Sequence, residues 1–367
     1  MICTCIVLLL LFQPAKPDTS LRVKSAQSRP DLDQLFQQTS GWTGGDGVYS
    51  VQLSNKKLLW LFSDTWVGDI QKYKHVNATI VNNTVALQDD PKARPVFFIR
   101  RNAQGQPQAI VTPVDGRGWY WLFAGAQVQD KLLLFLPQLE KTDDKSVFGF
   151  RGIGMWLGLV ENPHDDPLTW RVTQTRLPHA LYSSKRERTF GAALLTSGEY
   201  LYIYGTEDTP VAVGTKRHLI LARARLATAT DPGTWEFYGQ GNWHRQPERC
   251  EALADEMASE ASVVWLPARK QYVLVYTRGG MSNEIRGRVA SQPWGPWSEP
   301  VTLFRCPETG WDRRVFCYAA KAHQALSQGN TLIISYVANA TDFWYMAGDA
   351  RLYWPRFVEV ELVSNQK

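Results

Sequence analysis

Two aspartates near the start of the chain have the spacing of a carboxylate pair that could do acid–base chemistry. They lie in the runs Gly-Gly-Asp46-Gly-Val-Tyr-Ser-Val and Leu-Trp-Leu-Phe-Ser-Asp64-Thr, which together have the pattern of a β-hairpin. A turn at Ser54–Lys56 pairs residues whose numbers sum to 110 and places Asp46 opposite Asp64. A four-residue turn would instead place Asp46 opposite Thr65. Either register brings the two carboxylates close together.

Two adjacent carboxylates destabilise a sheet, so their presence needs a functional reason. Side chains directly opposite each other have Cβ atoms about 4.5–5.5 Å apart, so two unneutralised carboxylates repel and the pKa of one of them rises. Hydrolysis of a glycosidic bond needs this arrangement, because a protonated carboxyl group donates to the leaving oxygen while an ionised one attacks the anomeric carbon or activates water. The alternative is that both aspartates bind local backbone groups at strand ends.

Several other polar residues are candidates for substrate binding. Glu260 begins a strand and could face a central cavity, although a solvated position at the rim is the simpler interpretation. Arg278, Lys321 and His323 fall at strand ends or in an inner strand and could bind hydroxyl groups or a charged substituent. For His323, a hydrogen-bonded histidine in the core is an equally reasonable interpretation.

Aromatic residues supply a second set of candidates. The chain has 15 Trp and 14 Tyr beside 15 Phe, which favours half-exposed rings with a polar group, as sugar-binding surfaces use. Trp66, Trp119 and Trp121 could stack on sugar rings, although Trp121, inside a strand, is more typical of the core. No cluster of His, Cys and Glu has the spacing of a transition-metal site, and the glycines at 44–47 precede a strand instead of a helix. We therefore expect neither a metal nor a cofactor.

The elements that position these residues are short strands. From Gly41 onward no helical period persists for three turns, and five hairpins recur roughly 60–75 residues apart. Repetition of four-stranded units is the signature of a propeller. We predict an all-β, five-bladed β-propeller with four-stranded antiparallel blades over residues 41–363, in which Leu352–Val363 closes the last blade or joins the first. Two β-sandwiches are the alternative, but no linker rich in Pro, Gly or Ser divides the chain. Helical turns fit only Asp31–Gln37 and Glu251–Ser259.

The N-terminus has the pattern of an export signal. Ile2–Phe12 is an apolar run of eleven residues, too short to span a bilayer, although no Lys or Arg precedes it and no A-x-A site follows. We expect a leader over residues 1–24 with cleavage between Pro17 and Ser25, an N-terminal extension over 25–40, and a secreted or periplasmic protein without stable membrane insertion. Cys306 and Cys317 are the nearest pair for one disulfide, with free buried thiols as the alternative.

Charge restricts the class of partner. The net charge of +5 is spread over 40 basic and 35 acidic residues instead of forming a Lys/Arg block, so we expect no nucleic-acid binding. The expected partner is a polysaccharide or oligosaccharide, bound by a monomer.

Three motifs resemble the bacterial endo-D-arabinanase family, long known only as a domain of unknown function. They are Gly-Gly-Asp46-Gly-x-Tyr-Ser-Val, Leu-Trp-Leu-Phe-Ser-Asp64-Thr-Trp, and Tyr318-Ala-Ala-Lys321-Ala-His323 with the following Tyr336-Val-x-Asn339. The resemblance covers residues 41–362 and implies a five-bladed glycoside hydrolase with Asp46 and Asp64 as its catalytic residues and retention of configuration. Asn339 joins the candidate substrate-binding residues. Two alternatives stay open: a non-catalytic glycan-binding propeller, and an inverting furanosidase with acids from three blades, for which Glu260 would be essential.

Overall fold

The structure is a computed structural model that describes residues 21–146, 148–183, 185–211 and 215–364. The run predicted to be a signal peptide lies outside the described residues. The elements up to the end of the first blade are β1 (Val23–Ser28), α1 (Pro30–Phe36), β2 (Ser40–Gly45), β3 (Tyr49–Gln52), β4 (Leu58–Phe62), β5 (Thr65–Gln71), β6 (Lys74–Val81), β7 (Thr84–Gln88) and β8 (Val96–Phe98).

The middle of the chain forms the second and third blades after a short hairpin, β9 (Arg100–Arg101) and β10 (Pro107–Gln108). Their strands are β11 (Trp119–Tyr120), β12 (Gly125–Val128), β13 (Lys131–Lys141), β14 (Phe150–Val160), β15 (Val172–Arg176), β16 (Leu181–Tyr182), β17 (Glu187–Ser197), β18 (Tyr200–Pro210), β19 (Thr215–Arg225), β20 (Glu236–Gly239) and β21 (Asn242–His244). Short 3₁₀ turns occur at Pro167–Thr169, Leu226–Thr228, Pro232–Thr234 and Pro247–Arg249.

The last part of the chain forms the fourth and fifth blades. Its elements are β22 (Ala261–Leu266), β23 (Gln271–Thr277), β24 (Glu284–Ala290), β25 (Val301–Arg305), a 3₁₀ turn at Pro307–Gly310, β26 (Val315–Ala322), β27 (Thr331–Ala340), α2 (Phe343–Gly348) and β28 (Pro355–Leu362). The prediction of a helical turn at Glu251–Ser259 was wrong, because that segment is irregular. The sequence did not predict helix α2. At its N-terminus the Asp342 side chain accepts a hydrogen bond of 2.6 Å from the Tyr345 amide.

Five antiparallel sheets make the blades, which confirms the predicted fold class. Their strand orders are β3-β4-β7-β8, β12-β13-β14-β15 with β11 also paired to β13, β16-β17-β18-β19-β20-β21, β22-β23-β24-β25, and β26-β27-β28-β1. Each of the five predicted hairpins is the inner pair of strands of one blade. The second and third blades carry additional short strands, and β2-β5-β6 form a separate sheet beside the first blade.

The inner strands β3, β12, β17, β22 and β26 surround a central channel. All five contribute to a cavity of about 80 Å³, and consecutive inner strands contact one another. A hydrogen bond of 2.8 Å between the Ser50 hydroxyl and His323 Nδ1 joins the first blade to the chain just after β26. The ring of blades is thus closed, which lets each blade bury its faces against its neighbours.

Both ends of the described chain meet in the last blade. Strand β28 lies between β27 and β1, so the segment Leu352–Val363 closes this blade, and its outer strand comes from the N-terminus, with Ser28 opposite Val358. The propeller therefore begins at β1, upstream of residue 41: Val23 and Lys24, which we placed in the leader, start the strand, and the predicted extension continues it. Within the described residues no helix is long and apolar enough to cross a membrane.

Candidate active site

The hairpin of β3 and β4 fixes the relation between Asp46 and Asp64. Tyr49 pairs with Leu61 and every following pair sums to 110, because the turn closes with Lys56 donating its amide to the Leu53 carbonyl at 2.9 Å. Beyond the strands the pairing becomes irregular but keeps the two residues together: the Asp46 amide donates to the Asp64 carbonyl at 3.1 Å, and the Ser63 amide donates to the Asp46 carbonyl at 3.0 Å. The predicted tight turn is thus the one formed.

Two tyrosine hydroxyls hold one oxygen of Asp46. Tyr318 donates to Asp46 Oδ2 at 2.6 Å and Tyr353 donates to the same atom at 2.8 Å. The amide of Asn339 lies 3.4 Å from the Tyr318 hydroxyl oxygen and donates to it, which directs the hydroxyl hydrogen toward Asp46. The other oxygen, Oδ1, is buried and has no hydrogen-bond partner among the described residues.

A close backbone approach brings Tyr353 to this position. The Gly45 amide donates to the Tyr353 carbonyl at 2.9 Å. Gly44 beside it has φ +136°, and a Cβ there would lie 2.8 Å from the same carbonyl oxygen. Glycine is needed at position 44 both for the left-handed backbone and for the contact.

Asp64 has donors of a different kind. Its Oδ1 accepts hydrogen bonds from Asn82 Nδ2 at 3.0 Å and from the indole Nε1 of Trp121 at 2.9 Å. Next to Asn82, the buried amide of Asn83 donates to the carbonyls of Val111 and Tyr120, each at 2.9 Å. This contact ties the segment that carries Trp121 to the end of β6.

The different donors act on two buried acids. Burial, together with the charges of Asp64 and Glu260, raises the pKa of Asp46 well above its ordinary value, although both tyrosines oppose the shift. Burial raises the pKa of Asp64 to about 6, against the donors Asn82 and Trp121. N–H groups can only donate and so favour an ionised carboxylate, whereas hydroxyls can donate or accept. The arrangement favours a pair that holds a single proton, with Asp46 protonated and Asp64 ionised.

Glu260 lies in the same cavity, at the start of β22. Its Oε2 accepts a hydrogen bond of 2.6 Å from Lys321 Nζ, which also donates to the Ala319 carbonyl at 2.9 Å and lies 4.2 Å from the centre of the Tyr49 ring. Lys321 is 1% exposed, and burial lowers its pKa against the pull of Glu260. Lys321 therefore neutralises Glu260 from below the cavity and has no surface to offer a substrate.

Three other predicted residues lie away from the cavity. His323 is buried, bonded to Ser50 and to Ser335 at 2.8 Å each, and burial lowers its pKa to about 3; it is the core histidine of the alternative interpretation. Trp66 is 5% exposed, and its ring centre lies 4.5 Å from that of His75, on which it stacks. It therefore lies behind the cavity wall. Arg278 faces solvent beside Glu256.

A cavity of about 470 Å³ joins the carboxylates to solvent. Its lining includes the candidates Asp46, Asp64, Glu260 and Asn339, although a solvated position at the rim was the simpler interpretation for Glu260. It also includes Trp121, which we took for a core residue, and residues that sequence reasoning missed: Tyr318, Tyr353, Phe150 and Phe316. Asn82, which contacts Asp64, was missed too. A signal for it existed, because the polar pair Asn82-Asn83 stands between the apolar residues at the end of β6 and those of β7. Among the described residues no group of three or more His, Cys, Asp or Glu is arranged to hold a metal ion.

Fold and site together define a five-bladed propeller with a buried carboxylate pair at the mouth of its channel. Residues 30–362 match the family described as "Domain of unknown function (DUF5005)", and because this is most of the chain, the protein belongs to that family. The description gives no activity, so the endo-D-arabinanase resemblance stays a prediction. No curated protein matches the sequence.

Three solved structures are similar to this one. A Bacteroides ovatus protein described as a "putative hydrolase" is similar over 95% of this chain and 96% of its own, with a TM-score of 0.72 and 19% identity. The catalytic domain of the Coprinopsis cinerea GH62 α-L-arabinofuranosidase has a TM-score of 0.49 at 10% identity, covering 94% and 98%. The GH43_1 enzyme from Xanthomonas citri complexed with xylotriose has a TM-score of 0.49 at 14% identity, covering 92% and 94%. At 19% identity the first likeness shows a common fold.

Proposed function

We propose that this protein hydrolyses glycosidic bonds, with Asp46 as the general acid and Asp64 as the nucleophile or base. The observation that carries the proposal is the buried pair of carboxylates, held together by the backbone of one hairpin, with the pKa of Asp46 raised well above its ordinary value and that of Asp64 raised to about 6. A protonated and an ionised carboxyl group side by side are what glycoside hydrolysis requires. The Bacteroides ovatus protein of the same fold bears a hydrolase description, in agreement with this class.

The backbone contacts between Asp46 and Asp64 bear on the stereochemical outcome. Residues that face each other across a hairpin have Cβ atoms about 4.5–5.5 Å apart, and burial together with the charge of Asp64 raises the pKa of Asp46. We infer a separation of the carboxyl groups nearer the roughly 5–5.5 Å of retaining enzymes than the roughly 6.5–9.5 Å that admits a water in inverting ones. We therefore favour retention: Asp64 attacks the anomeric carbon, Asp46 protonates the departing oxygen, and water then releases the sugar from Asp64 with Asp46 as base. We further propose, from the resemblance of the motifs, an exported enzyme that acts on a furanose-containing polysaccharide such as D-arabinan.

The test is sugar release from D-arabinan, L-arabinan, fructan and a sialylated glycan, measured for wild type, Asp46→Asn and Asp64→Asn. Asp130→Asn is the matched control, because Asp130 is exposed in the turn between β12 and β13. Release by wild type and by the control but not by the two site variants supports the proposal. Equal release by all four proteins refutes it. Release by none, with a glycan still bound, assigns the cavity to glycan binding alone.

A second mechanism has one observation in its favour. Glu260 comes from the fourth blade and lines the same cavity as the two aspartates, as an inverting enzyme with acids from several blades would require. Proton NMR can identify the anomer that forms first and so separate the two mechanisms. A product with the substrate's configuration supports the two-aspartate retaining mechanism, and the opposite configuration supports the three-acid inverting mechanism.

A further inference from the structure

The catalytic cavity is one arm of a longer cleft. A second cavity of about 790 Å³ lies between the second and third blades. The two cavities share Trp121, Phe150, Arg217 and Ser259 as lining residues. Both volumes fall in the range of ligand sites, roughly 300–1,000 Å³. A substrate that reaches the acids can therefore extend in two directions.

The two arms differ in chemistry. The larger arm is the more polar of the two, because the charged and hydroxyl side chains of Arg117, Glu140, Arg151, Glu187, Thr189 and Thr206 line it beside apolar residues such as Leu139, Ile153 and Met155. The smaller arm, which holds the acids at its floor, has an apolar wall of Ile80, Phe148, Phe150, Met281, Phe316 and Phe343. Hydroxyl groups find partners in the first arm, whereas against the second wall they would lose bonds to water without replacement.

Solvent-exposed apolar side chains gather at the mouth of the smaller arm. Phe148 is 41% exposed, Met281 52% and Phe343 37%, and Trp344 beside Phe343 is 80% exposed. They come from three separate connections: β13 to β14, β23 to β24, and the segment with α2 between β27 and β28. A patch of this kind on a soluble protein marks a binding surface.

These contrasts identify a substrate class. We infer that the smaller arm binds an apolar group carried by the glycan, so that the substrate is a glycan with an alkyl, acyl or aryl substituent and the more polar arm holds its sugars. Trp and Tyr carry a polar group that can bond to a hydroxyl, whereas the exposed residues that line this wall, Phe148, Met281 and Phe343, have no donor; Trp344 lies outside the lining. The inference rests on the proposed function, because it places the scissile bond at Asp46 and Asp64.

The experiment measures binding without turnover. The probes are methyl, hexyl and octyl β-D-glucopyranoside below the micellar concentration, titrated into the full protein and followed by calorimetry and saturation-transfer NMR. Because the sugar is constant, the series reports on the alkyl chain alone. We expect the dissociation constant to fall about tenfold for every two methylene groups buried.

Variants locate the site. Met281→Ser and Phe343→Ser should each weaken octyl glucoside binding about tenfold, while Val114→Ser, a change of another exposed apolar residue (68%), should leave it unchanged. Met281 lies on a loop, so its variant stays informative if Phe343→Ser fails to fold. Affinity that is independent of chain length, absent, or equal in all variants overturns the inference. Hydrolysis of an unmodified polysaccharide with no alkyl binding refutes the apolar arm alone, whereas alkyl binding without any hydrolysis refutes the proposed function alone.

Discussion

The Asp46 amide donates a hydrogen bond to the Asp64 carbonyl at 3.1 Å, and the Ser63 amide donates to the Asp46 carbonyl at 3.0 Å. The two carboxyl groups are therefore fixed relative to each other by backbone contacts in one hairpin instead of by two independent loops. Catalysis needs such pre-organisation, because small displacements of a catalytic group cost large factors in rate.

Amide substitutions at the pair should separate activity from stability. Asp46→Asn and Asp64→Asn each remove a proton-transfer or attacking group, so we expect turnover to fall at least about 10²–10⁴-fold. The pKa of Asp64 in the folded protein, about 6, exceeds its ordinary value. Ionisation of Asp64 therefore lowers the free energy of unfolding, and this loss grows as pH rises from about 4 to 6. Asp64→Asn should consequently gain stability relative to wild type over that interval, by at most roughly 3 kcal/mol. Thermal unfolding at pH 4, 5, 6 and 7 checks this, and a constant difference contradicts it.

The pH profile should have an acidic limb near 6. Activity requires ionised Asp64, whose pKa is about 6, and protonated Asp46, whose pKa is well above the ordinary value. The rate should therefore rise as pH increases through about 6 and fall again at higher pH, the limbs belonging to the coupled pair. The measurement is kcat/KM from pH 4 to 9 on the polysaccharide that is cleaved. A rate that falls as pH rises through 6 would reverse the two roles.

Removing donors should move the limbs separately. Tyr318 lowers the pKa of Asp46, so Tyr318→Phe should raise that pKa and shift the basic limb to higher pH. Asn82 lowers the pKa of Asp64, so Asn82→Ala should shift the acidic limb to higher pH. Tyr336→Phe is the control, because this buried hydroxyl donates to Glu308 at 3.0 Å, away from the pair. Displacement of the same limb by both site variants would contradict the assignment.

What the sequence could predict depended on local pattern. Hairpin register and the five repeats follow from alternation and turn length, so the fold and the adjacency of Asp46 and Asp64 were available. The tyrosines were not: Tyr353 reaches Asp46 across 307 positions of sequence, and only closure of the ring places it there. Burial of Lys321 was hidden for the same reason, since it depends on how five inner strands converge on the channel, whereas a core position for His323 was one of its two interpretations.

The helical and cysteine expectations show the same limit. Glu251–Ser259 has helix-forming residues but stays irregular because it packs along β19, with Leu253 and Ala254 exchanging backbone hydrogen bonds of 2.8 Å with Leu219. Cys306 and Cys317, the pair nearest in sequence, are both buried free thiols.

The ion pair under the cavity should matter for stability more than for chemistry. Glu260→Gln leaves the Lys321 ammonium buried without its carboxylate, which typically costs about 3–5 kcal/mol. The double variant Glu260→Gln/Lys321→Met should recover most of that loss. Because the charge of Glu260 raises the pKa of Asp46, Glu260→Gln should keep turnover and move the basic limb to lower pH. Loss of turnover by 10³-fold or more at every pH, in folded protein, would favour the three-acid mechanism.

The N-terminal strand limits where the proposed export signal could be removed. Leu21 is 4% exposed and packs in the core of the last blades, and β1 covers the edge of β28. Cleavage as late as Ser25 would remove Leu21 and half of that strand. We therefore expect the exported protein to begin at or before Leu21, which its intact mass will show. A protein starting at residue 29 should unfold at a lower temperature than one starting at residue 21. It loses the buried Leu21, and truncation of a buried leucine to alanine costs about 2–5 kcal/mol of stability. It also exposes the unpaired edge of β28, which promotes aggregation. Equal melting temperatures would mean that the ring closes without β1.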